Sequence, residues 1–149
     1  MDKSVRIPDA KTVVCITDQR KCDRIIKAGR AVADMTRTEL AVINVVRPDY
    51  CYDADSIEYL FSISKDNGGE MVLLYSEDVA KAIIRYIKDN SVANLLTGIP
   101  AKGDSVTAKI WSKFSHVNFF VVEQDGSLSE VGNSVRAARE LCFTDPQRA

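Results

Sequence analysis

Gly98, Gly103 and Ser105 are the residues whose types and spacing come nearest to chemistry in this chain. They lie in Asn94-Leu95-Leu96-Thr97-Gly98-Ile99-Pro100-Ala101-Lys102-Gly103-Asp104-Ser105, where an apolar run ends in a glycine loop and a helical pattern follows. Such a loop is a place for phosphate, because free backbone N–H groups and the helix dipole both favour an anion. Gly98 and Gly103 are spaced like the glycines of a P-loop, but Asp104 stands where that loop carries its phosphate-binding lysine. The P-loop match is therefore accidental.

Other chemistries are less well served. A dinucleotide fold of G-x-G-x-x-G type needs glycines where this chain has Thr17-Asp18-Gln19-Arg20. A phosphoacceptor aspartate at the end of the third strand is replaced by Tyr75-Ser76, and no G-x-S-x-G nucleophile turn occurs. The single histidine, His116, falls near a helix end and reads as a capping or surface residue, so no catalytic residue is assigned. Cys15, Cys22, Cys51 and Cys142 form no C-x-x-C pair, and the spacing offers no metal site. They read as reduced thiols, with Cys15 a small core residue. A net charge of −1 gives no basic footprint for nucleic acid. No apolar run approaches the roughly 20 residues of a membrane span, and residues 1–6 lack the apolar stretch of a signal peptide. The expected location is cytoplasmic.

The elements that must position the glycine loop follow from the periodicity. Thr12 to Thr17 is a β-branched run, apolar on both faces, as in a buried parallel strand. From Arg20 to Thr36 the spacing turns helical, with Cys22, Ile25, Ile26, Gly29, Val32 and Ala33 on one face. Gly29 on that face permits a close helix–sheet approach. Leu40–Val46 is the second strand, stopped at Arg47-Pro48. A helix with Ile57, Leu60 and Phe61 ends at Asn67-Gly68-Gly69. Residues 70–75 form the third strand, and Ser76 is the expected cap of a helix reaching Asn90. Val92–Thr97 is the fourth strand, Ser105–Ser115 the next helix and Asn118–Glu123 the fifth strand. Beyond the Asp125-Gly126 turn signal, Leu128 and Val131 suit a short edge strand, and Asn133 a cap for a last helix.

Strands alternating with helices imply an α/β, doubly wound, Rossmann-like domain: a parallel five-stranded sheet with helices on both faces. One domain fills residues 1–149, with a core at about 10–124 and an extension at 125–149. In such sheets ligands sit at the carboxyl ends of the strands, where strand order reverses. Tyr50 and Tyr52, after the second strand, suit either stacking on a base or packing over the sheet edge.

Four stretches resemble the universal stress proteins. These are Val13-Val14-Cys15-Ile16-Thr17-Asp18 with the helix after it, Leu40 to Pro48, Asn94-Leu95-Leu96-Thr97-Gly98, and Ser105 to Trp111 with Phe119-Phe120-Val121-Val122. Within the family the chain most resembles, in stand-alone form, the stress-protein domain of potassium-uptake sensor kinases. The resemblance implies an adenine nucleotide alpha hydrolase-like fold. Nucleotide-binding members carry G-x-x-G, nine residues, then G-[ST]. Here Gly98 matches the first glycine, Ala101 replaces the second, and the spacer is almost gone. Asp18 and Val45 match positions that touch nucleotide, although Asp18 also suits a helix cap and Val45 plain core. Gly103 partly replaces a lost glycine, and Lys102 offsets Asp104. Some potassium-sensor domains take a cyclic dinucleotide through hydroxyls after the first strand; Thr17 is the one hydroxyl there, and the second strand has no aromatic residue.

The nucleotide site implied in this way comprises Thr17, Asp18, Val45, Gly98, Lys102, Gly103 and Ser105. The expected function is a universal-stress-protein-like regulatory module with a degenerate nucleotide loop, non-catalytic and serving the stress response. The alternative is an ATP-binding member using a shortened phosphate loop, with slow ATP hydrolysis. The family also implies a homodimer through the last core strand, at Phe119, Phe120 and Val121.

Overall fold

A computed structural model describes residues 10–16, 22–47, 54–99 and 105–131, with residues 105–108 described by backbone alone. Strands β1 (Lys11–Ile16), β2 (Glu39–Val46), β3 (Glu70–Tyr75), β4 (Val92–Gly98) and β5 (Asn118–Val122) alternate with helices α1 (Asp23–Thr36), α2 (Ala54–Asp66), α3 (Val79–Asp89) and α4 (Ser105–Lys113). Strand β6 (Leu128–Val131) closes the described chain. The sheet order is β3-β2-β1-β4-β5-β6. The first five strands pair in parallel. β6 returns antiparallel on β5, so the expected five-stranded sheet has six strands.

That return is local chemistry. Gly126 takes φ 90°, which a side chain would oppose. Asp125 Oδ1 accepts from the Ser127 N–H (2.9 Å) and from Ser127 Oγ (2.7 Å). Those donors hold the Asp125 carboxyl below its ordinary range.

Alternate residues of the strands feed two cores. Val14, Ile16, Leu40, Val42, Leu96 and Val122 pack with α1 and α2. Val13, Cys15, Ile43, Leu95, Phe119 and Val121 pack with α3 and α4. This two-residue alternation, apolar on both faces, is why the strands read as continuous apolar runs. Gly29 lets α1 lie directly on the sheet, since a Cβ there would strike Val14 Cγ2 and stand 3.0 Å from Leu40 Cδ1.

The helix boundaries correct two expectations. α1 begins at Asp23 with Cys22 at the N-cap position, not at Arg20 as the spacing suggested; Asp18 lies outside the described residues. α3 is capped by Asp78, whose Oδ1 accepts from the Lys81 N–H at 3.0 Å. Ser76 instead braces the turn ahead of it, its Oγ accepting from the Asp78 N–H at 3.1 Å. Asp78 takes the cap because its backbone is extended (φ −115°, ψ 100°), which aims the carboxylate at the first turn. The α2 stop is as read: Gly68 has φ 69°, and the Gly69 N–H donates to Ser64 O at 2.8 Å.

A polar network fastens the sheet at the amino ends of its strands. Asn94 Nδ2 donates to Thr12 Oγ1 (3.0 Å) and Thr36 Oγ1 (3.1 Å), and Asn94 Oδ1 accepts from Asn118 Nδ2 (3.1 Å). Thr12 and Thr38 share a further hydrogen bond of 2.6 Å. Thr12, Thr38 and Asn94 are buried, and their mutual bonds offset the loss of water.

Candidate functional site

The topology places the crevice. From β1 the chain steps outward through β2 and β3, and from β4 it steps the other way through β5, so the order reverses between β1 and β4. The carboxyl ends that meet there are Ile16 and Gly98. The end of β1 is pinned from its neighbour, because the buried Asn44 donates from Nδ2 to Ile16 O at 2.8 Å.

Gly98 closes β4 opposite Val122. Its missing side chain is used by α1: a Cβ there would stand 3.1 Å from Ile25 Cδ1 and 3.8 Å from Arg24 Nη2. Arg24, in the first turn of α1, reaches across the ends of β4 and β5 and donates from Nε to Glu123 O at 2.8 Å. The Glu123 carboxylate is turned to β6, accepting from Ser129 Oγ at 2.8 Å. Beside Gly98, Thr97 Oγ1 is buried and has no hydrogen-bond partner among the described residues.

Of the residues read as a nucleotide site, the structure places three. Val45 is half-buried near the end of β2 and packs against the Val13–Cys15 core. Gly98 stands at the switch point, and Ser105 opens α4, so residues 99–104 connect β4 to α4. Thr17, Asp18, Lys102 and Gly103 lie outside the described residues, as do Tyr50, Tyr52 and Asn133. Val45, next to last in β2, and Gly98, the last residue of β4, both lie towards the crevice side, but β1 separates their strands.

His116 is exposed, edge-on to Phe114 with ring centroids 5.9 Å apart. It lines a hollow of ≈ 540 Å³ with Asn90, Ser91 and Val92, at the amino end of β4 and away from the crevice. A second hollow of ≈ 570 Å³ lies between α2 and the edge strand β3, lined by Phe61, Met71 and Leu73. Neither is at the switch point. Among the described residues no group of three or more histidine, cysteine, aspartate or glutamate side chains comes together. Cys15 is a buried free thiol, pushed by burial up to about 12, and Cys22 is buried as well.

The expected dimer strand needs correcting. β6 occupies the outer edge of β5, while Phe119 and Val121 are buried within the single chain and Phe120 packs against the α1–α2 core. Phe119 and Val121 are core, and Phe120 is half-buried. The acidic turn at Asp125-Gly126 carried the signal for this hairpin.

Arg24 and Asn44 were not singled out by sequence reasoning. An arginine in a first turn and an asparagine in an apolar strand give only a weak local sign of a role between elements. Among the described residues, no helix is long and apolar enough to cross a membrane.

No protein-family model and no curated protein matches the sequence. Solved structures do match the fold. The universal stress protein from Archaeoglobus fulgidus in complex with dAMP superposes with TM-score 0.56 at 16% identity, over 76% of this chain and 96% of that one. A further structure of universal stress protein from Archaeoglobus fulgidus gives 0.59 at 16%, over 81% and 96%. A protein from the universal stress protein family from Burkholderia pseudomallei gives 0.52 at 15%, over 77% and 95%. At such identities the likeness is one of architecture: the chain has the fold of the universal stress proteins, with its crevice at the carboxyl ends of β1 and β4.

Proposed function

We propose that the chain is a universal-stress-protein-type regulatory module that takes an adenine nucleotide in the β1–β4 crevice and works without catalysing its turnover. The observation that carries this reading is Gly98 at the switch point, in a fold whose similar structures include a dAMP complex. The pinned end of β1 gives the crevice one rigid wall. The proposal assigns to it Thr17, Asp18, Val45, Gly98, Lys102, Gly103 and Ser105, which belong to strand ends or to the segments leaving β1 and β4. The non-catalytic part is supported by His116, the one histidine, standing at the other end of β4.

Kinship with the stress-protein domain of potassium-uptake sensor kinases, a stress-response role and a cytoplasmic location belong to this proposal. They are supported by the order of elements and by the buried free thiol of Cys15. A homodimer is also part of it, with β6 as the contact strand, because β6 covers the β5 edge and stands last in the sheet order among the described residues. Light scattering at micromolar protein tests that point; a monomer mass removes the dimer.

Thermal-shift titration with AMP and with ATP plus Mg²⁺ tests the function. A ligand that binds only the folded state raises Tm, by an amount that grows with its concentration. No shift at millimolar nucleotide would sink the proposal. Sustained phosphate release from ATP would replace it with the hydrolytic alternative.

A further inference from the structure

We propose that Arg24 is the phosphate anchor of the crevice, so that the site selects phosphorylated adenosine over adenosine through a side chain of α1. This rests on the nucleotide reading above and adds the residue and the ligand charge to it.

The guanidinium is already placed. Its Nε–H is used by Glu123 O, which fixes the group over the ends of β4 and β5. Neither Nη1 nor Nη2 makes a hydrogen bond or ion pair among the described residues. Arginine is a planar five-donor group that stays charged, and its paired N–H bonds match phosphate oxygens. With Nε committed, the terminal amino groups remain to offer that fork.

Gly98 stands beside it. A Cβ at 98 would lie 3.8 Å from Arg24 Nη2, ordinary van der Waals contact, so the guanidinium rests against the end of β4, while the tight neighbour there is Ile25 Cδ1 at 3.1 Å. The group also lies on the first turn of α1, where the dipole favours an anion. Asp23 neighbours it in the chain, and like charge repels phosphate unless a cation such as the Arg24 guanidinium offsets it. The Glu123 carboxylate is engaged by Ser129 and leaves only its main-chain oxygen to Arg24. A loop short of glycines therefore has a substitute donor in the adjacent helix.

Calorimetric titration of the full chain with adenosine, AMP and ATP, repeated on R24Q and R24K, tests the inference. The wild type is expected to bind AMP at least about tenfold more tightly than adenosine. R24Q should lose about 10- to 100-fold in AMP affinity, the range of charge-assisted hydrogen bonds, while adenosine affinity stays within about threefold. R24K should fall between them, keeping the charge and losing the fork. Unchanged AMP affinity in R24Q overturns the inference and leaves the nucleotide reading standing. So does an equal loss for adenosine and AMP together with a lowered Tm, which marks Arg24 as a clamp between α1 and β5 only. If the folded wild type binds none of the three, the nucleotide reading itself fails, and the inference with it.

Discussion

Asn44 and Ile16 are register partners on β2 and β1, and the Asn44 side chain also crosses to the Ile16 main-chain oxygen at 2.8 Å. The bond ties down the last residue of β1 where the crevice opens. At 2% exposure, Asn44 cannot turn to water for a replacement partner. Asn44→Leu should cost about 1–3 kcal/mol in urea unfolding, and Asn44→Asp more, since it puts a carboxylate against a carbonyl oxygen. Equal stability of the leucine variant and wild type would show that the tie contributes nothing. The same variant should weaken AMP binding, because it frees one wall of the site.

Asn94 provides a contrast at the other end of the sheet. Its amide joins Thr12, Thr36 and Asn118 on three other elements or junctions. Asn94→Leu strands these groups and should cost about 2–3 kcal/mol, with AMP affinity unchanged. A double-mutant cycle with Thr12→Val should show coupling of about 0.5–3 kcal/mol. Coupling near zero would mean that the threonines find other partners. A change in AMP affinity would mean that the two ends of the sheet are linked.

Gly29→Ala sets helix propensity against packing. Alanine gains about 1 kcal/mol over glycine in a helix interior. The added methyl, however, meets Val14 and Leu40, both buried side chains of the sheet beneath. Overpacking of this kind costs about 1–3 kcal/mol, so the net change should be a loss. A rise in Tm for Gly29→Ala would show that α1 can lift from the sheet at little cost.

Cys15 makes a prediction about pH. Burial raises its thiol from 9.0 to about 12. Above pH 9 the unfolded chain releases this proton and the folded chain keeps it, so stability is full below pH 9 and falls as pH rises towards 12. The slope from this one group is about 1.4 kcal/mol per pH unit. Cys15→Ala should flatten the decline in urea-unfolding free energy between pH 9 and 11. Tyr86, also raised by burial, contributes in the same direction in both proteins. Parallel slopes would contradict the assignment. Native Cys15 should also resist thiol reagents at pH 8, since the thiolate is the reactive form.

The elements were legible because each is written in short-range periodicity. Val13-Val14-Cys15-Ile16 and Phe119-Phe120-Val121-Val122 read as strands apolar on both faces, and all but the half-buried Phe120 are buried. Gly68-Gly69 and Asp125-Gly126 read as a stop and a turn, and the two glycines with φ above zero among the described residues sit there. Gly29 read as a close approach because it interrupts an apolar helix face. Less was legible of the candidate site. Gly98 and Ser105 fell where expected, but Ser76 gave way to Asp78 as a cap through backbone geometry that no residue count reveals.

The sequence by itself determined the alternation of strands and helices, the two apolar faces of the sheet, and the glycine at the end of β4. Backbone preference and side-chain spacing act within a few residues, so they are visible along the chain. Only the tertiary structure decided that β6 folds back on β5 and covers the edge beside Phe119 and Val121. It alone also set Arg24 beside Gly98 and Glu123, the last of these 99 residues away in the chain. Such meetings depend on strand order and on where a helix crosses the sheet, which arise when the whole chain packs.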